Sequence, residues 1–159
     1  MGYYDVAQIC LNGHCITDSA NESPQFTQNF CDRCGASTIT ACPECGVQIR
    51  GYYHSTGILD LTKYTVPSYC PHCGNPYPWT KSALAAVAEL VAEDEKMAET
   101  AKVALIDSLP DAVSETPRTN LAAVRIKKAF SAAGHFTVEG LRQFAIDFGC
   151  EMLKSQLGL

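Results

Sequence analysis

Six of the nine cysteines stand as three pairs of one spacing: Cys31-x2-Cys34, Cys42-x2-Cys45 and Cys70-x2-Cys73. Each pair is followed at once by a glycine, Gly35, Gly46 and Gly74. A tight turn of this length brings two thiolates to a common point. The glycine lets backbone amides turn toward the sulfurs without a Cβ clash. Two such half-sites complete a tetrahedron, so the chemistry on offer is Zn²⁺ binding of the zinc-ribbon type. A fourth half-site lies in "CLNGHC", residues 10–15. Cys10 and His14 are its favoured ligands, with Gly13 at the turn. Cys15 is the alternative to His14, because the spacing allows both. Closing neighbouring half-sites in chain order gives Cys10, His14, Cys31 and Cys34 as one site and Cys42, Cys45, Cys70 and Cys73 as the other. An interleaved, cross-brace pairing is the alternative. The short link from Cys34 to Cys42 favours two ribbons in tandem. Two structural Zn²⁺ ions per chain are therefore expected.

Other cysteine chemistries fit less well. Disulfides are disfavoured by an odd total of nine cysteines and by a start that lacks a basic stretch and an apolar core of the secretory type. A redox Cys-x2-Cys normally occurs once, in a βαβ setting. A catalytic zinc keeps a position open for water, whereas both sets here are filled by four residues. His54 and His72 are spare, and His135 follows a helix stop. No serine–histidine–acid pattern, phosphate loop or paired-carboxylate motif stands out, so a zinc enzyme or redox protein ranks last.

Charge argues against nucleic acid. The formal net charge is −5 over 159 residues. Residues 1–79 hold Arg33, Arg50 and Lys63 against six acids, a net of −3. Three thiolates around Zn²⁺ add a formal −1 and four add −2, and phosphate contacts need clustered lysine and arginine. In the second half, Glu89, Glu93, Asp94, Glu95 and Glu99 crowd the first helix, while Arg118, Arg125, Lys127 and Lys128 crowd the second. The two helices are expected to attract each other or face water; the sharper reading is a small basic patch on Arg118, Arg125 and Lys128. Tyr52 and Tyr53, with Arg50 in "RGYYH", form the expected recognition edge, since Tyr and Trp are frequent interface anchors.

The elements that must position these residues change character along the chain. The boundary is placed in "GNPYPWT", giving a zinc-ribbon domain over 1–79 and a helical domain over 80–159. Short β-type runs flank the cysteines: Val6 to Ile9, Ile16 and Thr17, Phe26 to Phe30, Ser37 to Ala41, Val47 to Tyr53 and Tyr64 to Tyr69. Residues 54–63 read as a loop. Three main helices follow. The first is capped by Thr80, carries Leu84, Val87, Val91, Met97 and Leu105, and ends at Pro110. Ser108 and Asp111 would cap one extra turn. Thr116-Pro117 starts the second, which runs to about Ala133. Thr137 caps the third, with Phe136 and Leu141 as a hydrophobic staple and Met152 on its apolar face. The fold class is α+β, two tandem ribbons of short antiparallel strands before a three-helix region. No apolar run is long enough to span a membrane.

The stretches "YYDVAQICLNGH", "TITACPECG", "IRGYYH", "VPSYCPHCG", "NPYPWT" and "LPDAVSETPRT" resemble a family of small uncharacterised bacterial proteins with a double zinc ribbon. The resemblance runs to about Arg118 and more loosely beyond. It implies a Cys-x-x-Gly-His first knuckle, which favours His14 over Cys15. It implies a fold and a bacterial setting, and no catalytic residue. The expected function is a cytoplasmic, non-enzymatic interaction or adaptor module with a protein partner or a second copy of itself. The alternative is a nucleic-acid-binding regulator.

Overall fold

Antiparallel pairing begins at the third residue. In the computed structural model, which describes residues 1–57 and 59–159, β1 (Tyr3–Val6) pairs with β5 (Arg50–His54), with Tyr4 opposite Tyr53 and a bulge before Val6. A second sheet has the order β3-β2-β4, formed by β3 (Cys15–Thr17), β2 (Gln8–Cys10) and β4 (Thr38–Ile39). Among the described residues no strand exceeds five residues. Ala7, Ile9 and Ile49 are fully buried, and the Ala7 N–H donates to Ile49 C=O at 2.9 Å.

A buried carboxylate supports this thin core. Asp5 accepts the backbone N–H groups of Val6, Asn21 and Glu22 and lies 3.2 Å from His54 Nε2. Burial alone would raise its pKa. Those donors outweigh burial and hold the carboxyl below its ordinary range. Asp5 is thus a structural node and not part of an acidic surface.

Two expected strands are not formed. Pro24–Phe26 is a turn of 3-10 helix, and Phe30 makes only an isolated bridge to Ser37. The Tyr64 to Tyr69 run has one bridge, Tyr69 to Pro76. Its carbonyls are satisfied otherwise: Pro67 C=O accepts Trp79 Nε1–H, and Ser68 C=O accepts Tyr77 N–H and Thr80 Oγ1–H. The loop expected over 54–63 includes residue 58, which lies outside the described residues.

The chain divides into two compact units, Met1–Lys81 and Ser82–Leu159. Five helices follow the strands, where three were expected: α1 (Pro78–Ala92), α2 (Glu99–Val113), α3 (Thr119–Ala132), α4 (His135–Phe148) and α5 (Glu151–Leu157). The expected first helix is split by Asp94. Its Oδ1 accepts the N–H groups of Lys96 and Met97, which draws the chain out of helix. Lys102 Nζ then closes on the Ala92 carbonyl at the end of α1. Pro110 does not stop α2, because Ala112 and Val113 beyond it are buried. Ser108 likewise caps no turn; its hydroxyl donates to Ala104 C=O at 2.8 Å. The staple does not form either, since Phe136 is 83% exposed. The last expected helix breaks at Gly149, so Met152 falls on the separate α5 and is exposed while Leu153 is buried.

Asp94 Oδ2 also accepts Gly134 N–H at 2.8 Å and Thr137 Oγ1–H at 2.6 Å, at the start of α4. One carboxylate therefore joins the α1–α2 turn to the α3–α4 turn, where a helix N-terminus favours negative charge. The Thr137 hydroxyl, then the N–H groups of Gly134, Met97 and Lys96, lower its pKa from 3.8 to about 2 against the cost of burial. A depressed folded-state pKa adds stability that is fully present above the ordinary value and is lost as pH falls through the folded one. Asp94→Ala should cost the helical unit about 3 kcal/mol, from several charge-assisted bonds and two turns left unpaired. Urea unfolding followed at 222 nm checks this. Acid sensitivity between pH 3.8 and about 2 should be weaker in Asp94→Asn than in the wild type; equal sensitivity would contradict it.

Candidate metal centres

Each Cys-x2-Cys-Gly segment folds the same way. The N–H of Gly35, Gly46 or Gly74 returns to the carbonyl of the first cysteine at 2.8–2.9 Å, and that cysteine's N–H bonds to the carbonyl of the residue after the glycine, Ala36, Val47 or Asn75. In each, the residue before the first cysteine bridges the one six positions after it: Phe30 to Ser37, Ala41 to Gln48, Tyr69 to Pro76. The three glycines have φ of 74–77°, a region that costs L-residues strain.

The fourth half-site is one residue tighter. Gly13, at φ 91°, returns its N–H to Cys10 C=O, and the hairpin closes with Ile9 opposite Cys15. The ligand position after the turn is therefore His14, whose longer side chain spans the gap. Cys15 begins β3, is exposed and belongs to neither cluster. The turn is also sterically closed, because a Cβ on Gly13 would lie 3.0 Å from Trp79 Cβ.

The structure brings together Cys10, His14, Cys31 and Cys34, and separately Cys42, Cys45, Cys70 and Cys73. Within each set the ligand atoms lie within 4.8 Å of one another. Sulfur separations are 3.7 Å for Cys10–Cys34, 3.8 Å for Cys42–Cys73 and 3.7 Å for Cys45–Cys70. His14 Nδ1 lies 3.6 Å from Cys10 Sγ and 3.5 Å from Cys31 Sγ. A tetrahedron with metal–sulfur bonds of about 2.3 Å sets S···S near 3.8 Å, and with a metal–nitrogen bond of about 2.05 Å sets S···N near 3.6 Å. The clusters match both. They are far outside the S–S bond length of about 2.05 Å, and all nine cysteines are free thiols. Both sets could hold a metal ion.

The thiols are unequal without metal. The Ala36 N–H and the Asn12 amide, 3.3 Å away, bring the Cys34 thiol down to about 6. The N–H of Cys73, with that of His72, brings Cys70 to about 6. At Cys45 the Val47 N–H favours the thiolate, but burial and the Cys70, Cys73 and Cys42 thiols outweigh it and push the group up to about 12. Like charges this close cannot all ionise until a cation joins them, so metal entry must release protons. Asn12 and Asn75 (3.5 Å from Cys73 Sγ) are outer donors that cysteine spacing alone does not reveal. Their only signal is an asparagine beside Gly13 and another beside Gly74.

A family model for an uncharacterized protein conserved in bacteria, DUF2321, matches residues 3–157. The chain belongs to that family. The match spans both metal clusters and all five helices. Searches of curated proteins and of solved structures returned no significant match.

The other expected site residues lie on β5 and at or along α3. Arg50 lies 5.1 Å over the Tyr4 ring, and Tyr53 packs against Tyr4 on the β1–β5 ribbon. Tyr52 Oη donates to Asp60 C=O. Arg118 pairs with Asp111 at 3.2 Å. Arg125 donates to Ala104 C=O and to the Ser108 hydroxyl, clasping α3 to α2. Lys128 lines a cavity of ≈ 230 Å³ with Arg125, Met97 and four alanines of α2 and α3. Arg118 and Arg125 are thus each engaged within the helical unit, while Lys128 is exposed. His54 is engaged by Asp5, outside either cluster. No helix among the described residues is long and apolar enough to cross a membrane.

Proposed function

We propose that this chain is a non-enzymatic protein-interaction module built on two structural Zn²⁺ ions. The observation that carries the reading is completeness: each cluster already offers four protein ligands at tetrahedral separations. That is the pattern of closed structural sites and leaves no position for a reacting water. Thiolate and imidazole donors in a tetrahedron suit Zn²⁺. Free thiols in such numbers suit a reducing, cytoplasmic setting.

The partner face is the β1–β5 ribbon. Tyr3, Tyr4 and Tyr53 are exposed there beside Arg50, and exposed aromatic side chains on a rigid ribbon are of the kind that anchor protein interfaces. The net charge of −5 and the internal engagement of Arg118 and Arg125 speak for a protein or a second copy of the chain and against phosphate binding. Affinity capture from native bacterial lysate, with and without nuclease, tests this. The expected result is a protein recovered regardless of nuclease and lost with Tyr4→Ala/Tyr53→Ala. Recovery that vanishes with nuclease would overturn it.

A further inference from the structure

The cavity of ≈ 230 Å³ in the helical unit owes its space to residue type. It is lined by Ala101 and Ala104 of α2 and by Ala129 and Ala132 of α3, and methyl groups leave open what longer side chains would fill. Its walls are held from outside. Met97 lines it, with a backbone N–H fixed on Asp94 Oδ1 at 2.8 Å. Arg125 lines it with Nη1 donating to Ala104 C=O and to the Ser108 hydroxyl. These bonds do not depend on an occupant, so the hollow is preformed, as ligand sites commonly are. Two cations stand in this apolar lining. Both acceptors of Arg125 are neutral, so its donors are used while its charge is uncompensated. Lys128 is exposed. Among the described residues neither cation has a carboxylate oxygen within 4.0 Å. Glu99 and Asp107 line a separate hollow with Arg125, but Glu99 is paired with Lys102 and neither acid lines the α2–α3 cavity.

We propose that the α2–α3 cavity binds a small carboxylic acid with an apolar body, the body seated among the alanines and Met97 and the carboxylate on Lys128 Nζ. Charge complementarity selects the acid, because the charged side chains in the lining are both positive. The held charge of Arg125 adds to the attraction for one negative charge. Size sets the body. An apolar hollow of about 150 Å³ takes up one benzene ring, so ≈ 230 Å³ admits an aromatic ring or a chain of about eight carbons. A phosphate group fits less well: it needs clustered cations with free donors, whereas Arg125 donates to α2 and most of the lining is apolar. The site is independent of the two metal clusters, whose ligands all lie in the first unit. It stands whether or not they hold zinc.

Octanoate is the probe, titrated into the full chain with methyl-labelled alanine and followed by NMR. Saturable shifts are expected at the methyls of Ala101, Ala104, Ala129 and Ala132. Octan-1-ol has a chain of the same length and is the more hydrophobic molecule. It should nonetheless bind about 5-fold more weakly, because it brings no charge. Lys128→Ala alters an exposed side chain and leaves the fold in place. It should weaken octanoate about 5-fold and leave octan-1-ol unchanged. Ala101→Leu fills the hollow from an exposed position on α2 and should abolish both, with unchanged ellipticity at 222 nm as the check on folding. No saturation at millimolar octanoate would overturn the proposal. So would octan-1-ol binding as tightly as octanoate, which would make the cavity a general apolar void. Alanine methyl shifts that change when the chain alone is diluted would put a second copy in the cavity, and would overturn it too.

Discussion

Chelating the metal should unfold residues 1–81 while residues 82–159 stay helical. The reason lies in what holds each unit. The first unit has strands of two to five residues in two small sheets, and sheets this small are marginal alone. Among the described residues its buried aliphatic core amounts to little more than Val6, Ala7, Ile9 and Ile49. The four knuckles are turns whose sulfurs and one imidazole converge on two positions that could hold a metal ion. Structural zinc supplies on the order of 10–16 kcal/mol per site in small peptides, more than the whole stability of a typical domain. The second unit buries the larger side chains of Leu105, Leu109, Ile126, Leu141 and Leu153, and neither metal-ready cluster draws a residue from it. Trp79, the only tryptophan, is 2% exposed with its indole N–H on Pro67 C=O, so it reports on the first unit. A strong chelator should shift its emission to the red and leave most of the 222 nm ellipticity in place. Emission unchanged by chelation would show that the first unit folds without metal.

His14→Ala should reduce the bound metal to one ion per chain, whereas Cys15→Ala should keep both. His14 Nδ1 stands at ligand distance from Cys10 and Cys31 sulfurs, 3.6 and 3.5 Å. Its own N–H donates to Cys10 Sγ at 3.3 Å, so the residue both completes and orients the site. Cys15 is fixed in β3 opposite Ile9 and lies outside the cluster. Removing one of four ligands opens the tetrahedron to water and should weaken that site by several orders of magnitude. Metal analysis of the purified variants checks this. Loss of an ion from Cys15→Ala, with retention by His14→Ala, would exchange the two roles.

The metal clusters were legible because a knuckle is a local structure. Two cysteines, their spacing and a glycine determine the turn, and only the pairing of half-sites requires the fold. The helical half was legible in kind and not in detail. The acidic run Glu93-Asp94-Glu95 looks like a solvated helix face, yet Asp94 is 6% exposed and holds two turns together. Which of three adjacent acids turns inward depends on where Gly134 and Thr137 lie, 40 and 43 residues away. Pro110 reads as a helix stop, but burial of Ala112 and Val113 carries the helix past it. Arg125 reads as part of a basic patch, but its guanidinium is spent on Ala104 and Ser108 of α2. Tyr77 was one aromatic among several. Its unpaired hydroxyl is visible only once every neighbour is placed. Local rules thus recover turns and ligands, while side chains that tie distant segments together are recovered only by tertiary structure.

The proposed function requires two closed metal centres in each chain, with no open coordination position. X-ray absorption at the zinc edge of the purified, zinc-replete chain measures this directly, with metal content taken on the same sample. The expected result is two ions sharing seven sulfurs and one imidazole nitrogen, the donors of the two clusters, with metal–sulfur distances near 2.3 Å. An all-sulfur shell would place Cys15 in the first site. A shell with a water oxygen in either site, or a single ion per chain, would contradict the closed structural reading.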